Sequence, residues 1–444
     1  MKLIENISQL AACRGEGGQG DIHGIPDAVM VWQGATIRWV GPKRELPVEY
    51  WNAERIDAQG GTVVPGLVDC HTHLAFGGWR ADEFTRRIEG ASYLDIARAG
   101  GGIARTVRQT REAAPDALLG RVRGFVREMM ALGVTTIEAK SGYGLDREHE
   151  LELLRVYQRL AQAEPIAVVA TFLGAHMVPP EYRDRREAYV ALLIDELIPA
   201  VAAERLATGC DVFVEESAFS VEEARRILLA GRAAGLSPRL HADQLSAGGG
   251  AELAAEVGAL SADHLEHVSE RGIEAMAKAG VVAVSLPIAS LYQNQPPMPA
   301  RRLMAAGVPV AIATDFNPGT APSYHLPLAM TLACTLQRMT PAESLKGATY
   351  YAAKALGLER RVGSLERGKA ADFAVIDAPD VEHWLYHLRP NACRLTVAGG
   401  RIVWRAPGHP GGRELAGKSS RQQCSAQQDP SLYGNPIPHN MEAP

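Results

Sequence analysis

The feature that most constrains this chain's fold is a repeated alternation. Eight short β-branched or apolar runs, at residues 63–70, 134–140, 166–173, 211–215, 238–241, 259–265, 281–286 and 308–314, are separated by longer segments rich in Ala, Leu, Arg and Glu. Runs of this length read as strands, and the segments between them, such as 115–132, 148–163 and 221–234, read as helices. The last of these follows Ser220 with Glu223 three residues on, a capping box that marks a helix start. Alternating βα units imply parallel strands with covering helices, and eight of them suffice to close a (β/α)8 TIM barrel of the α/β class over residues 62–360. Residues 1–61 and 361–407 read instead as short strands and turns. Neither piece can bury a face alone, so the two chain ends are expected to form one small β-sandwich domain. Residues 408–444, rich in Gly, Pro, Gln and Ser, read as a flexible tail.

The 444 residues, 46% of them hydrophobic, suffice for one large core and a smaller satellite. Forty-six Lys and Arg against 51 Asp and Glu leave a net charge of −5, with no long run of either sign. That balance favours neither nucleic acid nor a membrane surface and points to a small-molecule partner. The opening MKLIENISQL places Glu5 and Asn6 where a secretory leader needs an apolar stretch, so none is expected. The long uncharged stretch 279–300 carries prolines together with Gln293, Asn294 and Gln295, which argues against a membrane helix. Six scattered cysteines form no C-x-x-C pair or disulfide framework, and a cytoplasmic setting is expected.

Chemistry concentrates at the strand ends. In Pro65-Gly-Leu-Val-Asp-Cys-His-Thr-His73, His71 and His73 lie two apart, so at a strand end both imidazoles face one way while Cys70 and Thr72 face the other. Such a pair makes half of a transition-metal site, although alone it reads equally as two polar residues at a strand end. His241 ends the fifth run, His264 the sixth, and Asp315 follows the eighth. At a barrel's C-terminal mouth these five would converge, and packing explains them poorly because unpaired buried charge costs several kcal/mol. His383 and His387 fall in the returning segment and read as surface residues. The glycine runs at 100–102 and 248–250 lack the strand-to-helix context of a phosphate loop.

The pattern PG-x-x-D-x-H-x-H on the first strand, His on the fifth and sixth and Asp after the eighth resembles the amidohydrolase superfamily. Within it the chain is similar to the imidazolonepropionase family over about residues 1 to 405. The matching blocks are Asp69-Cys-His-Thr-His-Leu-Ala-Phe-Gly-Gly78, Lys140-Ser-Gly-Tyr-Gly-Leu145, Thr171-Phe-Leu-Gly-Ala-His176, His241-Ala-Asp-Gln244, Ser261-Ala-Asp-His-Leu-Glu266 and Ala313-Thr-Asp-Phe-Asn-Pro-Gly319.

The resemblance implies one zinc or iron ion held by His71, His73, His241 and Asp315, with a position left for water. Binuclear relatives bridge two ions with a carboxylated lysine on the fourth strand. Here that strand reads Asp211-Val-Phe-Val-Glu-Glu-Ser217 without one, and Lys140, on the second strand, reads as an ion-pair or structural residue. The implied activity is hydrolytic ring opening of 4-imidazolone-5-propanoate to N-formimidoyl-L-glutamate in histidine degradation. Asp315 would carry the proton from water to the departing nitrogen, and His264 would donate to the carbonyl oxygen. Arg80 would grip the substrate's carboxylate tail through its planar fork. Tyr93, Tyr143 and His176 would surround the substrate, and Asn317, Gly319 and Thr320 would offer donors. Gln244 stands where some members carry glutamate; its amide can hydrogen-bond the ring but cannot act as a base. Similar enzymes imply a homodimer. Two other readings use the same ligands: a cytosine- or guanine-type deaminase, or a metal-binding barrel without catalysis.

Overall fold

A computed structural model of the chain describes residues 1–91, 95–96 and 99–407. Tyr93 and the tail at 408–444 lie outside the described residues. Eight parallel strands form one sheet, each beside its neighbour in chain order. They are β1 (Leu67–Asp69), β2 (Val134–Lys140), β3 (Ala167–Ala175), β4 (Gly209–Val214), β5 (Ser237–Ala242), β6 (Ser261–His264), β7 (Val282–Ser285) and β8 (Val310–Ile312). Helices such as Pro115–Ala131, Arg147–Ala163 and Glu270–Ala279 carry the chain back between strands. Covered on both faces, β2, β4 and β8 are buried at every position. This is why they read in sequence as continuous runs and not as alternations. The helix Val221–Ala233 begins with the expected capping box: the Glu223 N–H donates to Ser220 Oγ, and the Ser220 N–H donates to the Glu223 carboxylate.

The ring closes between β8 and β1 just past the strand ends. The His73 N–H donates to the Phe316 carbonyl at 2.8 Å, and the Asp315 N–H donates to the His71 carbonyl at 3.0 Å. Asp69 completes the seam, its carboxylate accepting both the N–H (3.0 Å) and the hydroxyl (2.7 Å) of Thr314. Burial pushes the Asp69 carboxyl up to about 7 in spite of these bonds.

One strand assignment is corrected. The run at 63–70 is two strands serving two sheets: Thr62–Pro65 pairs with Phe373–Ile376 and Gln9–Ala11, and only Leu67–Asp69 enters the barrel. Gly66 separates them where a Cβ would lie 2.1 Å from Thr135 Oγ1, so the crossing from one sheet to the other needs a residue without a side chain.

The two chain ends build the remaining layers. A six-stranded sheet runs Arg401–Arg405, Cys393–Ala398, Phe373–Ile376, Thr62–Pro65, Gln9–Ala11, Gly24–Pro26, and a four-stranded sheet uses Thr36–Pro42, Ala28–Gln33, Lys2–Glu5 and Glu54–Asp57. Leu10, Met30, Val63, Val375 and Leu395 fill the core of these sheets, with Trp32 edge-on to Phe373 at 5.1 Å. Among the described residues no helix is long and apolar enough to cross a membrane.

Candidate active site

His71 and His73 follow β1, His241 lies in β5, His264 ends β6 and Asp315 follows β8, so all five stand at the C-terminal mouth of the barrel. None is more than 3% exposed. His71 Nε2 and His73 Nε2 each lie 3.4 Å from Asp315 Oδ1, and His241 Nε2 lies 3.4 Å from His73 Nε2. Four donors on metal bonds of about 2.1 Å in a tetrahedron would be spaced by roughly 3.4 Å. His71 Nε2 is buried without a hydrogen-bond partner. Its Nδ1 meets Asp263 Oδ2 at 2.6 Å, and His241 Nδ1 meets Asp211 Oδ1 at 3.1 Å. Both Nδ1 atoms thus face acceptors, which keeps protons there and turns the Nε2 atoms inward. Two donor triads result, His71–His73–Asp315 and His71–His241–His264, each able to hold a metal ion.

Below the imidazoles lies a sealed ionic layer. Lys140 Nζ is 2.7 Å from Asp211, 2.9 Å from Glu138 and 3.5 Å from Asp263, with all four side chains wholly buried. Arg239 reaches Glu138 at 3.6 Å and donates to Thr171 Oγ1 at 3.1 Å, while the Thr171 hydroxyl donates to Glu138 at 2.6 Å. Burial works against the ionised form of Asp211 and Asp263, but Lys140 and the adjoining imidazoles outweigh it. Asp263 is held at about 2 and Asp211 well below the usual carboxylate range. Burial and Lys140 oppose protonation of His71, yet Asp263 and Asp315 raise it to about 9. Burial dominates at His73, lowered to about 3. Asp315 stays ionised against its burial because His71, His73 and His264 surround it.

Beside the donors a cavity of about 460 Å³, counting the space at its mouth, is lined by His73, Arg80, Tyr143, His176, Gln244, His264, Asp315, Asn317 and Thr320. Arg80 is 5% exposed, and its Nε and one Nη have no hydrogen-bond partner; Glu83 stands 3.6 Å from Nε. His176 Nδ1 lies 3.0 Å from the Gly142 carbonyl, and its ring stacks on His73 at 5.3 Å. Burial lowers its pKa well below the ordinary value, leaving a neutral imidazole. Ile103, Phe213, Leu245 and Gln293 join this wall and carried no signal in the sequence. His264 (φ 79°) and Asp315 (φ 56°) sit in left-handed backbone, uncommon outside glycine and characteristic of sites where packing enforces a required direction.

The loop after β8 is bonded to itself. The N–H groups of Gly319 and Thr320 both donate to Asn317 Oδ1, at 2.8 and 2.7 Å, and the Asn317 amide donates to the Asp315 carbonyl. These bonds shape the loop, while Asn317 and Thr320 line the cavity. Gly319 also leaves room for Arg80, since a Cβ there would lie 1.0 Å from Arg80 Nη2. His383, as expected, is at the surface, beside Asp380. Asp211, Asp263, Glu138 and Arg239 were not singled out from the sequence; the available signal was a charged residue inside an otherwise apolar strand.

The Amidohydrolase family profile matches residues 62–403. The imidazolonepropionase of Geobacillus kaustophilus is 48% identical over 385 residues, covering 86% of this chain and 91% of that protein. Those of Myxococcus xanthus (47%; 91% and 97% covered) and Pseudomonas syringae pv. tomato (50%; 81% and 91% covered) are similarly close. Among solved structures, the zinc complex of atrazine chlorohydrolase from Arthrobacter aurescens superposes with TM-score 0.70 at 16% identity (90% of this chain, 95% of that one). Guanine deaminase of E. coli gives 0.71 at 16% (92% and 100%). At such identities the structural likeness concerns the fold alone. With the profile covering most of the sequence and near-half identity along almost the whole length, this chain belongs to the amidohydrolase family, among its imidazolonepropionases.

Proposed function

We propose that the chain hydrolyses 4-imidazolone-5-propanoate, opening the ring to N-formimidoyl-L-glutamate in histidine degradation. The observation that carries this reading is one buried mouth holding both a metal-type donor cluster and an arginine fork without hydrogen-bond partners at two of its nitrogens, 5% exposed, on the wall of the same cavity. The near-half identity to proteins named imidazolonepropionase supports it. His71, His73, His241 and Asp315 would hold one zinc or iron ion, which when bound makes water acidic enough to supply hydroxide near neutral pH.

The protein's own groups account for the rest. Arg80 takes the propionate carboxylate bidentately and sets the ring at the donor cluster. Tyr143 and neutral His176 wall the ring, and the Gln244 amide hydrogen-bonds it. Asp315, held ionised, accepts the proton of the attacking water and returns it to the ring nitrogen as the C–N bond breaks. His264 donates to the carbonyl oxygen while negative charge gathers there. Five described cysteines are all free, which supports a reducing, cytoplasmic setting.

The test is a direct assay with freshly generated imidazolone propionate, following formation of formimidoyl glutamate. Turnover of cytosine or guanine with ammonia release, and none of this substrate, would overturn the reading in favour of a deaminase. A His71→Ala variant with unchanged turnover would reduce the cluster to a scaffold.

A further inference from the structure

We infer that Lys140 is a positioning residue for the metal-type donors, acting through two carboxylates it never shares with a substrate. The inference rests on the metal reading above. Lys140 touches none of the donors and lines no part of the cavity, yet it joins the supports of two of them. Asp211 divides its oxygens: Oδ1 faces His241 Nδ1 and accepts the His241 N–H, while Oδ2 receives Lys140 Nζ. Asp263 Oδ2 serves His71 Nδ1 at 2.6 Å and faces Lys140 Nζ at 3.5 Å. One ammonium on β2 thus links a carboxylate on β4 with a carboxylate on β6, and through them imidazoles on opposite sides of the barrel.

Two observations separate this from ordinary core packing. First, His73 has no such support: its Nδ1 is buried without a partner, and its ring is held by stacking on His176. The hub therefore serves two particular imidazoles and not the site in general. Second, the ammonium lies among three carboxylates, Glu138, Asp211 and Asp263, all wholly buried. Without it, repulsion among these three sealed carboxylates would turn Asp211 or Asp263 away from its imidazole. Either movement removes the acceptor that holds a donor ring through its Nδ1.

The sign of the effect distinguishes positioning from bare charge. If Lys140 acted only as a nearby positive charge it would repel a bound cation, and its removal would tighten metal binding. As a positioning residue its removal must weaken binding. The experiment uses the full chain with Lys140→Met, verified as folded by circular dichroism, and measures zinc affinity by chelator competition. The ligand-field spectrum of the cobalt(II)-loaded protein is recorded alongside. Positioning predicts a loss of about 10- to 100-fold in zinc affinity per folded molecule, with an altered cobalt spectrum. Affinity unchanged or tighter, with the parental spectrum, overturns the inference. Should Lys140→Met fail to fold, Lys140→Met with Glu138→Gln removes one charge of each sign, and the same outcomes apply. Wild-type chain that binds no zinc would overturn the metal reading itself, whereas normal wild-type binding with unaffected variants overturns only the role of Lys140.

Discussion

Arg80 occupies the space that any side chain at residue 319 would need: a Cβ on Gly319 would lie 1.0 Å from Arg80 Nη2. The loop after β8 and the loop after β1 therefore fit together only around a glycine, and the arginine's place in the cavity depends on that missing side chain. Gly319→Ala should displace the guanidinium and lower kcat/KM at least about tenfold, or ~1.4 kcal/mol, mainly through KM. The check is steady-state kinetics on protein with an unchanged circular dichroism spectrum; a change within twofold would mean that Arg80 does not hold the substrate.

Arg80 itself gives a sharper version. Arg80→Ala should cost roughly 2–5 kcal/mol of transition-state binding because the substrate carboxylate is left buried and unpaired. Arg80→Lys should recover only part of this, since an ammonium cannot reproduce the planar fork. Equal kcat/KM for Lys and Ala would rule out bidentate recognition.

Asp263 approaches His71 Nδ1 at 2.6 Å with both side chains sealed from solvent. Asp263→Asn replaces an acceptor by a group that can present either an oxygen or an NH2, so the His71 tautomer is no longer fixed. Metal affinity should fall about 10- to 100-fold, read by chelator competition, and wild-type affinity in this variant would show the contact to be incidental.

Stripping the metal should lower thermal stability. An ion that binds only the folded chain contributes ~4 kcal/mol at a free concentration of 1,000 Kd, and without it the inward-facing Nε2 atoms and Asp315 are left crowded at 3.4 Å. Calorimetry with and without a chelator checks this, and coincident melting curves would contradict it.

The capping box of Val221–Ala233 gives a pH prediction remote from the site. Arg186 beside Glu223, with further help from Ser220, holds its carboxyl at about 2. Because the folded pKa lies below the unfolded value of about 4.3, the stabilisation is complete above that value and disappears as pH falls towards 2. Glu223→Ala should cost ~1 kcal/mol at pH 7 and almost nothing at pH 2. Urea denaturation at the two pH values measures the difference; an equal cost at both would remove the charge from the explanation.

Much of this was legible in the chain. The barrel shows because each strand, covered on both sides, must be an apolar run, and a helix must follow it. His71 and His73 announce themselves by a two-residue spacing that only an extended segment turns into a shared direction. What lay beyond the sequence was partnership. Lys140, Asp211 and Asp263 sit on β2, β4 and β6, and nothing along the chain says which acid faces which base until the cylinder closes. The split at Gly66 was hidden for a similar reason, since Val63 and Val68 read as one run although they belong to different sheets. The closeness of Gly319 to Arg80 was hidden as well, because a sequence does not display the guanidinium lying against that α-carbon.

The seam between β8 and β1 also bears on synthesis. Asp69 waits for Thr314, 245 positions later in the chain, so no ribosome can finish the cylinder until its final strand has emerged. Until then the nascent sheet carries two raw edges and a carboxylate with nowhere to bond, conditions that favour mispairing with neighbours. A chain released before residues 310–314 would therefore keep both edges open for good.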